Sequence, residues 1–293
     1  MKVLVTGGAG FMGFAIASAL AENGNEVTIY DIAPHSAELK NIECIKGDVF
    51  DACHLSDIIR RFDCVIHMVG LVGVAKAHAQ PQASFDLNVR SLQVLLEVMR
   101  CNNISRLIIP SAAAVYGTTT KLPISEDTAA RPTNTYGFHK YISEKVAETY
   151  SFNYGISTSI LRVFNPFGLR GQGILNVLLE SASKGKPVKL YTEKQKRDLI
   201  HISDVAEAFV RVLKLDHRFD VYNVGTGIGR RIDDIVHLIR EYHPNLVVEH
   251  VDYAGVPYDS VADITKLKKA TGFCPDGSTD TLRKFVQEWK SNL

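Results

Sequence analysis

Two side chains four residues apart, Tyr136 and Lys140, have the chemistry and spacing of a proton-transfer pair. Residues at i and i+4 project from one face of a helix, so the phenol and the ammonium should be neighbours. A tyrosine pKa near ~10 is too high for a general base at neutral pH, and an adjacent cation favours the phenolate. The pair therefore predicts acid–base chemistry at Tyr136. The alternative is an exposed tyrosine and lysine on an amphipathic helix, because this spacing alone is a weak signal.

A glycine-rich loop near the start of the chain has the pattern of a phosphate-binding turn. It follows an apolar strand pattern and contains Gly7, Gly10 and Gly13, with Phe11 and Met12 between the last two. Such glycines permit a tight turn, close approach of the backbone to a pyrophosphate, and close packing of the next helix. The N-terminus of that helix favours an anion. The loop predicts a dinucleotide site, and the alternative is a turn that binds nothing.

Two acidic residues after neighbouring strand patterns indicate which dinucleotide binds. Asp31 ends the second strand pattern and is placed to accept hydrogen bonds from the adenosine ribose, where a carboxylate would repel a 2′-phosphate. This predicts NAD rather than NADP. Asp48, followed by Val49, comes after the third strand pattern and could meet the adenine edge. An equal alternative for Asp48 is a turn aspartate that caps the helix pattern at 55–61.

Alternating strand and helix patterns predict an α/β fold: a doubly wound parallel (Rossmann) sheet of five or six strands, with a smaller C-terminal substrate domain. We expect a NAD-binding domain of residues 1–165 plus 199–226 and a substrate domain of residues 166–198 plus 227–293. Ligands of such sheets bind at the carboxyl ends of the strands. The segments expected to meet there are the glycine loop, Asp31, Gly70–Gly73, Ser111–Ala114 and Asn165.

The composition is that of an ordinary soluble globular protein. The 293 residues include 33 Lys and Arg and 32 Asp and Glu, which gives no reason to expect a nucleic-acid or membrane surface. No apolar run is long enough to span a membrane, and the early glycines argue against a signal peptide. The five cysteines contain no C-x-x-C pair, so neither disulfides nor a metal site is expected. Cys44 and Cys64 lie in or beside apolar strand patterns, which predicts buried thiols in a reducing cytoplasm.

Taken together, these motifs resemble the extended short-chain dehydrogenase/reductases of the NAD-dependent epimerase/dehydratase family, in particular its nucleotide-sugar enzymes of the UDP-galactose 4-epimerase type. The resemblance covers essentially the whole chain. The residues that carry it are Thr6–Gly13, Asp31, Gly47–Val49, Val65–Met68, Asn88-Val89, Val115–Gly117, Tyr136 with Lys140, Arg162–Asn165, Arg197-Asp198 and Tyr222–Gly225.

The resemblance implies roles for individual residues. Tyr136 would exchange a proton with a sugar hydroxyl during hydride transfer at nicotinamide C4, Lys140 would hold the nicotinamide ribose, and Ser111 is the candidate catalytic hydroxyl. Substrate contacts fall to Val72, Asn165 and Arg197, although Arg197 could instead pair with a neighbouring acid. Cofactor contacts fall to Gly7, Gly10, Phe11, Met12, Gly13, Asp31, Asp48, Val49, Met68, Val69, Gly70, Asn88, Lys140 and Val163.

The resemblance also implies an assembly. Pro81 begins a helix pattern that is apolar on more than one side and runs to about Met99. With the helix pattern at 137–154, it resembles the four-helix bundle through which members of the family form homodimers. The expected partners are therefore a nucleotide-sugar substrate and a second copy of the chain.

The sequence departs from the family pattern at three places. Ala112 stands where a serine or threonine is usual, and Ser111 lies one position early. Ala113 and Ala114 replace the Asp-Glu pair of the 4,6-dehydratases. The arginine often found before a late Gly-Asp motif is absent from residues 253–257.

These features predict a NAD-dependent nucleotide-sugar epimerase that works by hydride transfer at sugar C4 through a transient 4-keto intermediate. One alternative is a nucleotide-sugar 4-dehydrogenase or 4-keto reductase. Another, supported by Ala112, is a catalytically weak NAD-binding sensor.

Overall fold

A seven-stranded parallel sheet forms the centre of the computed structural model, which describes residues 1–33, 41–190, 194–251 and 258–291. The described strands are β1 (Lys2–Thr6), β2 (Glu26–Asp31), β3 (Ile42–Lys46), β4 (Cys64–His67), β5 (Arg106–Ala112), β6 (Ser157–Val163), β7 (Pro166–Phe167), β8 (Val188–Leu190), β9 (Lys196–Asp198), β10 (Ile200–His201), β11 (Phe219–Val224), β12 (Gly229–Arg231) and β13 (Val248–His250). The large sheet has the order β11-β6-β5-β4-β1-β2-β3.

Helices alternate with these strands along the described part of the chain. They are α1 (Phe11–Glu22), α2 (Ala52–Ile59), α3 (Val74–Ala79), α4 (Pro81–Phe85), α5 (Ser91–Cys101), α6 (Thr135–Tyr154), α7 (Ile174–Lys184), α8 (Ile202–Leu213), α9 (Ile232–Tyr242), α10 (Thr265–Thr271) and α11 (Thr279–Ser291). A π-turn, Asp86–Arg90, joins α4 to α5, and a 3-10 turn, Ala113–Tyr116, follows β5.

The order of the strands reverses between β1 and β4, as in a doubly wound sheet. From β1 the chain moves outward to β2 and β3, then returns to β4 on the other side of β1. Ligands bind parallel sheets at such a switch point. The predicted Rossmann-like class is confirmed, and β11 extends the five or six predicted strands to seven.

The chain divides into two compact units, each assembled from three segments. The first contains Met1–Gly117, Ala130–Arg162 and Val205–Tyr222. The second contains Thr118–Ala129, Val163–Asp204 and the described residues of Asn223–Leu293. Compared with the expected domains, residues 118–129, 163–165, 199–204 and 223–226 fall in the second unit.

Each unit has its own hydrophobic core. In the first, leucines of α2 and α5 pack against the sheet; Leu55, Leu95 and Leu107 are fully buried. In the second, α7, α9 and α11 pack together through side chains such as Leu178, Ile239 and Val286. Burying a leucine-sized side chain contributes about 1.5–3 kcal/mol, so each unit has a substantial apolar drive to fold.

Three local features differ from the expectations. The helix pattern from Pro81 is interrupted by the π-turn, and α3 and α10 lie where no helix was predicted. Cys64 is buried as predicted, but the prediction of a buried thiol is wrong for Cys44. Cys44 is exposed because β3 is the outermost strand of the sheet and its apolar pattern is only partly covered.

Within the described ranges, none of the helices is both long enough and apolar enough to cross a membrane. In the same ranges, no group of three or more His, Cys, Asp or Glu side chains is arranged to hold a metal ion.

Candidate active site

The glycine loop wraps tightly between β1 and α1. Gly7 has φ +72°, and a Cβ atom built on it would lie 2.6 Å from the Val69 nitrogen, so no other residue fits there without strain. A Cβ on Gly13 would lie 2.5 Å from the Gly7 oxygen, so α1 packs directly against the loop. Helix α1 begins at Phe11, followed by Met12, and no side chain caps its N-terminus. The first-turn N–H groups are thus available to an anion.

Asp31 ends β2 beside this loop. Its Oδ2 accepts a hydrogen bond of 3.0 Å from the Ala9 nitrogen, and its Oδ1 accepts one of 2.9 Å from the Ala33 nitrogen. Two backbone donors therefore fix the carboxylate at the end of β2. A carboxylate keeps further acceptor positions on both oxygens, so Asp31 can still receive hydroxyl donors from a ligand.

Asp48 lies in the exposed turn after β3. Its Oδ1 accepts from the Phe50 nitrogen at 3.0 Å, whereas the cap of α2 is Asp51, whose side chain accepts from the His54 nitrogen. The alternative that Asp48 caps this helix is therefore wrong. Tyr30 donates its hydroxyl hydrogen to the Asp48 carbonyl at 2.9 Å, which holds the turn against β2. Val49, next along the chain, is buried.

The segment after β4 begins with a buried histidine whose ring nitrogens both have partners. His67 Nδ1 lies 2.8 Å from Thr6 Oγ1 and Nε2 lies 3.1 Å from Ser91 Oγ. Burial, with Lys140 nearby, lowers the His67 pKa to about 3, so the imidazole is neutral. Its role is structural. Met68, Val69 and Gly70 follow it toward the glycine loop, and Val72 is more than half exposed.

Asn88 and Lys140 meet beside Gly70. A Cβ built on Gly70 would lie 2.7 Å from Asn88 Oδ1 and 3.5 Å from Lys140 Nζ. Lys140 is buried and donates to the Pro110 carbonyl at 3.3 Å. Burial lowers the Lys140 pKa to about 8, against a smaller opposite effect of Glu144. The absence of a side chain at Gly70 leaves a space lined by an acceptor and an ammonium.

Tyr136 lies in the first turn of α6. The helix is capped by Asn134, whose side chain accepts from the Gly137 nitrogen at 2.9 Å. A Cβ on Gly137 would lie 2.4 Å from the Ala114 oxygen, so this turn packs directly on the 3-10 turn after β5. Burial raises the Tyr136 pKa to about 12. That direction is opposite to the lowering predicted from Lys140, because burial disfavours the charged phenolate.

Ser111 and Ala112 end β5. The Ser111 side chain is buried, and its Oγ has no hydrogen-bond partner among the described residues. Ala112 has extended backbone angles, φ −143° and ψ 153°, so the two neighbouring side chains leave the strand on opposite faces. Ser111 therefore offers an unused hydroxyl near the end of β5, on the face that Ala112 does not occupy.

In the second unit, the half-buried Arg197 has only neutral oxygens as hydrogen-bond acceptors among the described residues. Arg197 donates to the Tyr258 carbonyl at 2.6 Å and to Gln195 Oε1 at 2.7 Å, and its guanidinium lies 5.4 Å from the Tyr258 ring centre. Burial lowers the Arg197 pKa. No ion pair of Arg197 occurs in the described part of the chain, so the alternative of pairing with a neighbouring acid is not supported.

Asp198, next to Arg197, holds this part of the second unit together. Its fully buried carboxylate accepts hydrogen bonds from Thr226 N and Oγ1, from Gly227 N at 2.9 Å and from Ala262 N at 3.1 Å. Asn165 Nδ2 donates to the Asp198 carbonyl at 2.9 Å. Asn165 and Arg197 are thus tied to one backbone segment. Val163, the last residue of β6, is also buried.

The sequence did not predict a role for Asp198 or for the contact between Ser84 and His139. Asp198 was part of a recognised motif, but its four hydrogen-bond donors come from residues far along the chain, which no local pattern reveals. The same holds for a contact between Ser84 and His139, 55 residues apart. Residues 253–257, the stretch from which the family arginine is absent, lie outside the described residues.

Comparison with known proteins gives consistent results. The sequence model of the NAD dependent epimerase/dehydratase family matches residues 3–225. The UDP-glucose 4-epimerase of Corynebacterium glutamicum is 30% identical over 315 residues, covering 98% of this chain and 94% of that protein.

Solved structures are similar over the whole chain. MoeE5, in complex with UDP-glucose and NAD, has a TM-score of 0.90 and 26% identity, covering 100% of this chain and 99% of its own. The UDP-N-acetylglucosamine 4-epimerase of Methanobrevibacter ruminantium M1, in complex with UDP-N-acetylmuramic acid, has a TM-score of 0.90 and 28% identity with the same coverage.

Proposed function

The chain belongs to the NAD-dependent epimerase/dehydratase family, and from that premise we propose that it interconverts UDP-sugars that differ in configuration at C4. The observation that carries the proposal is the Lys140 ammonium beside the space at Gly70, with Tyr136 one turn earlier on the same helix, α6. UDP is the nucleotide to test first, because relatives that cover the whole chain are named as UDP-sugar 4-epimerases.

The residues of the first unit suit bound NAD. The N-terminus of α1, with Phe11 and Met12, would hold the pyrophosphate, and Asp31 would accept from the adenosine ribose. The turn of Asp48 and Val49 would border the adenine. The nicotinamide half would lie along Met68, Val69, Gly70, Asn88 and Lys140.

NAD, when bound, supplies a hydride acceptor and donor at nicotinamide C4. Tyr136 would accept the proton of the sugar C4 hydroxyl while the hydride leaves C4, which leaves a transient 4-keto sugar. Return of proton and hydride to the opposite face of the sugar would complete the epimerisation with no net redox change. A positive nicotinamide ring near Tyr136 would favour the phenolate and oppose the rise in pKa caused by burial.

Arg197 and Asn165 suit the diphosphate of the nucleotide sugar. A half-buried guanidinium whose acceptors are neutral oxygens retains its charge for an anionic ligand, and its planar fork of donors matches phosphate oxygens. Asn165 is tied to the same segment through the Asp198 carbonyl. Val72, more than half exposed, could border the sugar.

The residues after Ala112 argue against water elimination. Ala113 and Ala114 provide no acid or base at the positions where dehydratases of the family carry Asp-Glu. Elimination of water needs groups that remove one proton and protonate the leaving hydroxyl. An epimerase, which restores the hydroxyl it oxidises, does not need that pair.

A homodimer in the cytoplasm completes the proposal. Helix α6 carries exposed Phe138 and half-buried Tyr141 and Ile142, an apolar surface that helices of a second copy would cover. Free cysteines such as Cys44 and Cys101 suit a reducing compartment.

The test is an NMR assay of UDP-glucose, UDP-galactose and their N-acetyl counterparts with the purified protein. We expect interconversion of C4 epimers without accumulation of NADH. Replacing Tyr136 by Phe should slow the reaction by roughly 10²–10⁴-fold, the usual effect of general acid–base catalysis. Tyr141→Phe, on the same helix, is the matched control and should leave the rate unchanged.

Other outcomes of the assay would replace the proposal. Stoichiometric formation of NADH with an oxidised sugar would identify a 4-dehydrogenase, and the reverse reaction a 4-keto reductase. Tight NAD binding without conversion of any nucleotide sugar would identify a sensor.

A further inference from the structure

Three side chains near Gly70 form a buried chain of hydrogen bonds that the proposed reaction does not use. Asn88 Nδ2 lies 2.9 Å from the Ser84 carbonyl and 3.3 Å from its Oγ. Ser84 Oγ in turn lies 2.9 Å from Nδ1 of His139, the residue before Lys140. Ser84 is fully buried, and Asn88 and His139 are 3% and 8% exposed. This series of hydrogen bonds links the π-turn, which contains Asn88, to α6, which contains His139.

The acceptors around Asn88 determine which way its carboxamide points. The carbonyl oxygens of Ser84 and Leu71, 2.9 and 3.1 Å from Nδ2, can only accept hydrogen bonds, so the amide nitrogen must face them. Oδ1 then faces the other way, toward the space at Gly70, and has no partner among the described residues. An unused, buried acceptor is costly unless a ligand supplies a donor.

Ser84 has a single hydroxyl hydrogen, and His139 determines which way it points. This sets which group donates and which accepts in each hydrogen bond of the series. If Nδ1 of a neutral imidazole accepts this hydrogen, the lone pairs of Ser84 Oγ remain free to accept from Asn88 Nδ2. Burial lowers the His139 pKa, which favours the neutral ring. Phe85 packs edge-on against the imidazole at 5.5 Å and holds it in place.

Helix α6 also holds the backbone of Asn88, through Ser143. Ser143 Oγ lies 2.6 Å from the Asn88 carbonyl oxygen and 2.8 Å from the His139 carbonyl oxygen, so its one hydroxyl hydrogen is within reach of both acceptors. The π-turn and α6 are therefore joined both at the main chain and through the side chain of Asn88. Fixing an acceptor in advance reduces the ordering cost of binding a ligand to it.

We propose that His139 is a positioning residue for the cofactor: through Ser84 Oγ it adds to the hold of the Ser84 and Leu71 carbonyls on the Asn88 carboxamide, so that Oδ1 accepts a hydrogen bond from a ribose hydroxyl of NAD beside Lys140. The proposal rests on the proposed cofactor site but not on the sugar reaction. A vicinal diol suits the pair, because one hydroxyl can donate to Oδ1 while the other accepts from the ammonium.

The experiment compares NADH and AMP binding in four single variants and one double variant, His139→Leu with Ser84→Ala. His139→Leu and Ser84→Ala each break the chain, whereas His139→Asn keeps an acceptor close to the position of Nδ1. His78→Leu, at an exposed histidine on α3, is the matched control. NADH affinity is measured by fluorescence titration, and AMP, which lacks the second ribose, by calorimetry.

We expect His139→Leu and Ser84→Ala each to weaken NADH binding roughly tenfold, and the double variant to weaken it no more than either single change. His139→Asn should stay within about twofold of the parent, as should His78→Leu. AMP affinity should be the same in all of them. The proposal is overturned if His139→Leu binds NADH like the parent, or if AMP binding weakens in parallel, which would indicate general damage to the site. Because no sugar is present, failure of the proposed epimerase activity would leave this result unaffected.

Discussion

At the scale of single residues, the end of β5 carries one of the three departures from the family pattern. Ala112 cannot form a hydrogen bond with a reacting sugar, and the buried Ser111 hydroxyl has no partner in the described structure. Because the two side chains lie on opposite faces of the strand, they cannot replace each other by a change of rotamer. A hydroxyl that helps Tyr136 must therefore come from Ser111 on its own face, or be absent.

Ser111→Ala should slow single-turnover hydride transfer by about tenfold or more, since it removes the hydroxyl that the site leaves unpaired. Ala112→Ser should change the rate less, because the parent enzyme works without a group there. Both variants should melt within a few degrees of the parent, since each changes one small side chain. If Ser111→Ala reacts at the parental rate, Ser111 has no part in proton transfer and Tyr136 acts without a hydroxyl from this strand.

The sequence predicts the features that depend on residues close together along the chain, and it misses those that depend on the assembled fold. The glycine loop, Asp31 and the Tyr136–Lys140 pair are local patterns, and the model shows each on the expected element. The rise in the Tyr136 pKa depends on burial by surrounding elements, which spacing cannot reveal. The exposure of Cys44 likewise depends on β3 being an edge strand, which is a property of the assembled sheet.

At the scale of elements, backbone N–H groups that donate to a side chain join the end of a strand to the loop that precedes a helix. Asp31 shows this best: its two oxygens accept from Ala9 in the glycine loop and from Ala33 after β2. The carboxylate therefore holds the loop against β2, and in the proposed cofactor site it would also receive the ribose. A change at Asp31 alters both the shape of the loop and the charge beside it.

Asp31→Asn should lower NAD affinity and bring NADP affinity closer to it. The amide keeps one acceptor oxygen but loses the charge that repels a 2′-phosphate, and its NH₂ group cannot accept from a backbone N–H. Fluorescence titration with NADH and NADPH measures both affinities. Glu43→Gln, on the edge strand β3, is the control and should leave their ratio unchanged. A parent protein that prefers NADPH would contradict the role given to Asp31.

At the scale of the whole molecule, the proposed homodimer can be tested directly by measuring the oligomeric state of variants. Ile142→Glu would place a charge in the apolar surface of α6 that a second copy should cover, and burying an unpaired charge is costly. We expect this variant to be monomeric by light scattering at concentrations where the parent is a dimer. Val177→Glu, at an exposed position on α7 in the other unit, should not change the parent's mass. A monomeric parent would contradict the dimer.

The interleaving of the two units has a consequence during protein synthesis. Strand β6 lies between β5 and β11 in the sheet, yet β11 emerges from the ribosome more than fifty residues after β6 ends, once Val163–Asp204 of the other unit has been made. Until then, the nascent chain presents β6 as an open edge, and unpaired edges template association with other chains. Chains released by ribosomes that stop before residue 219 should therefore aggregate, whereas those that stop after β11 can close the sheet.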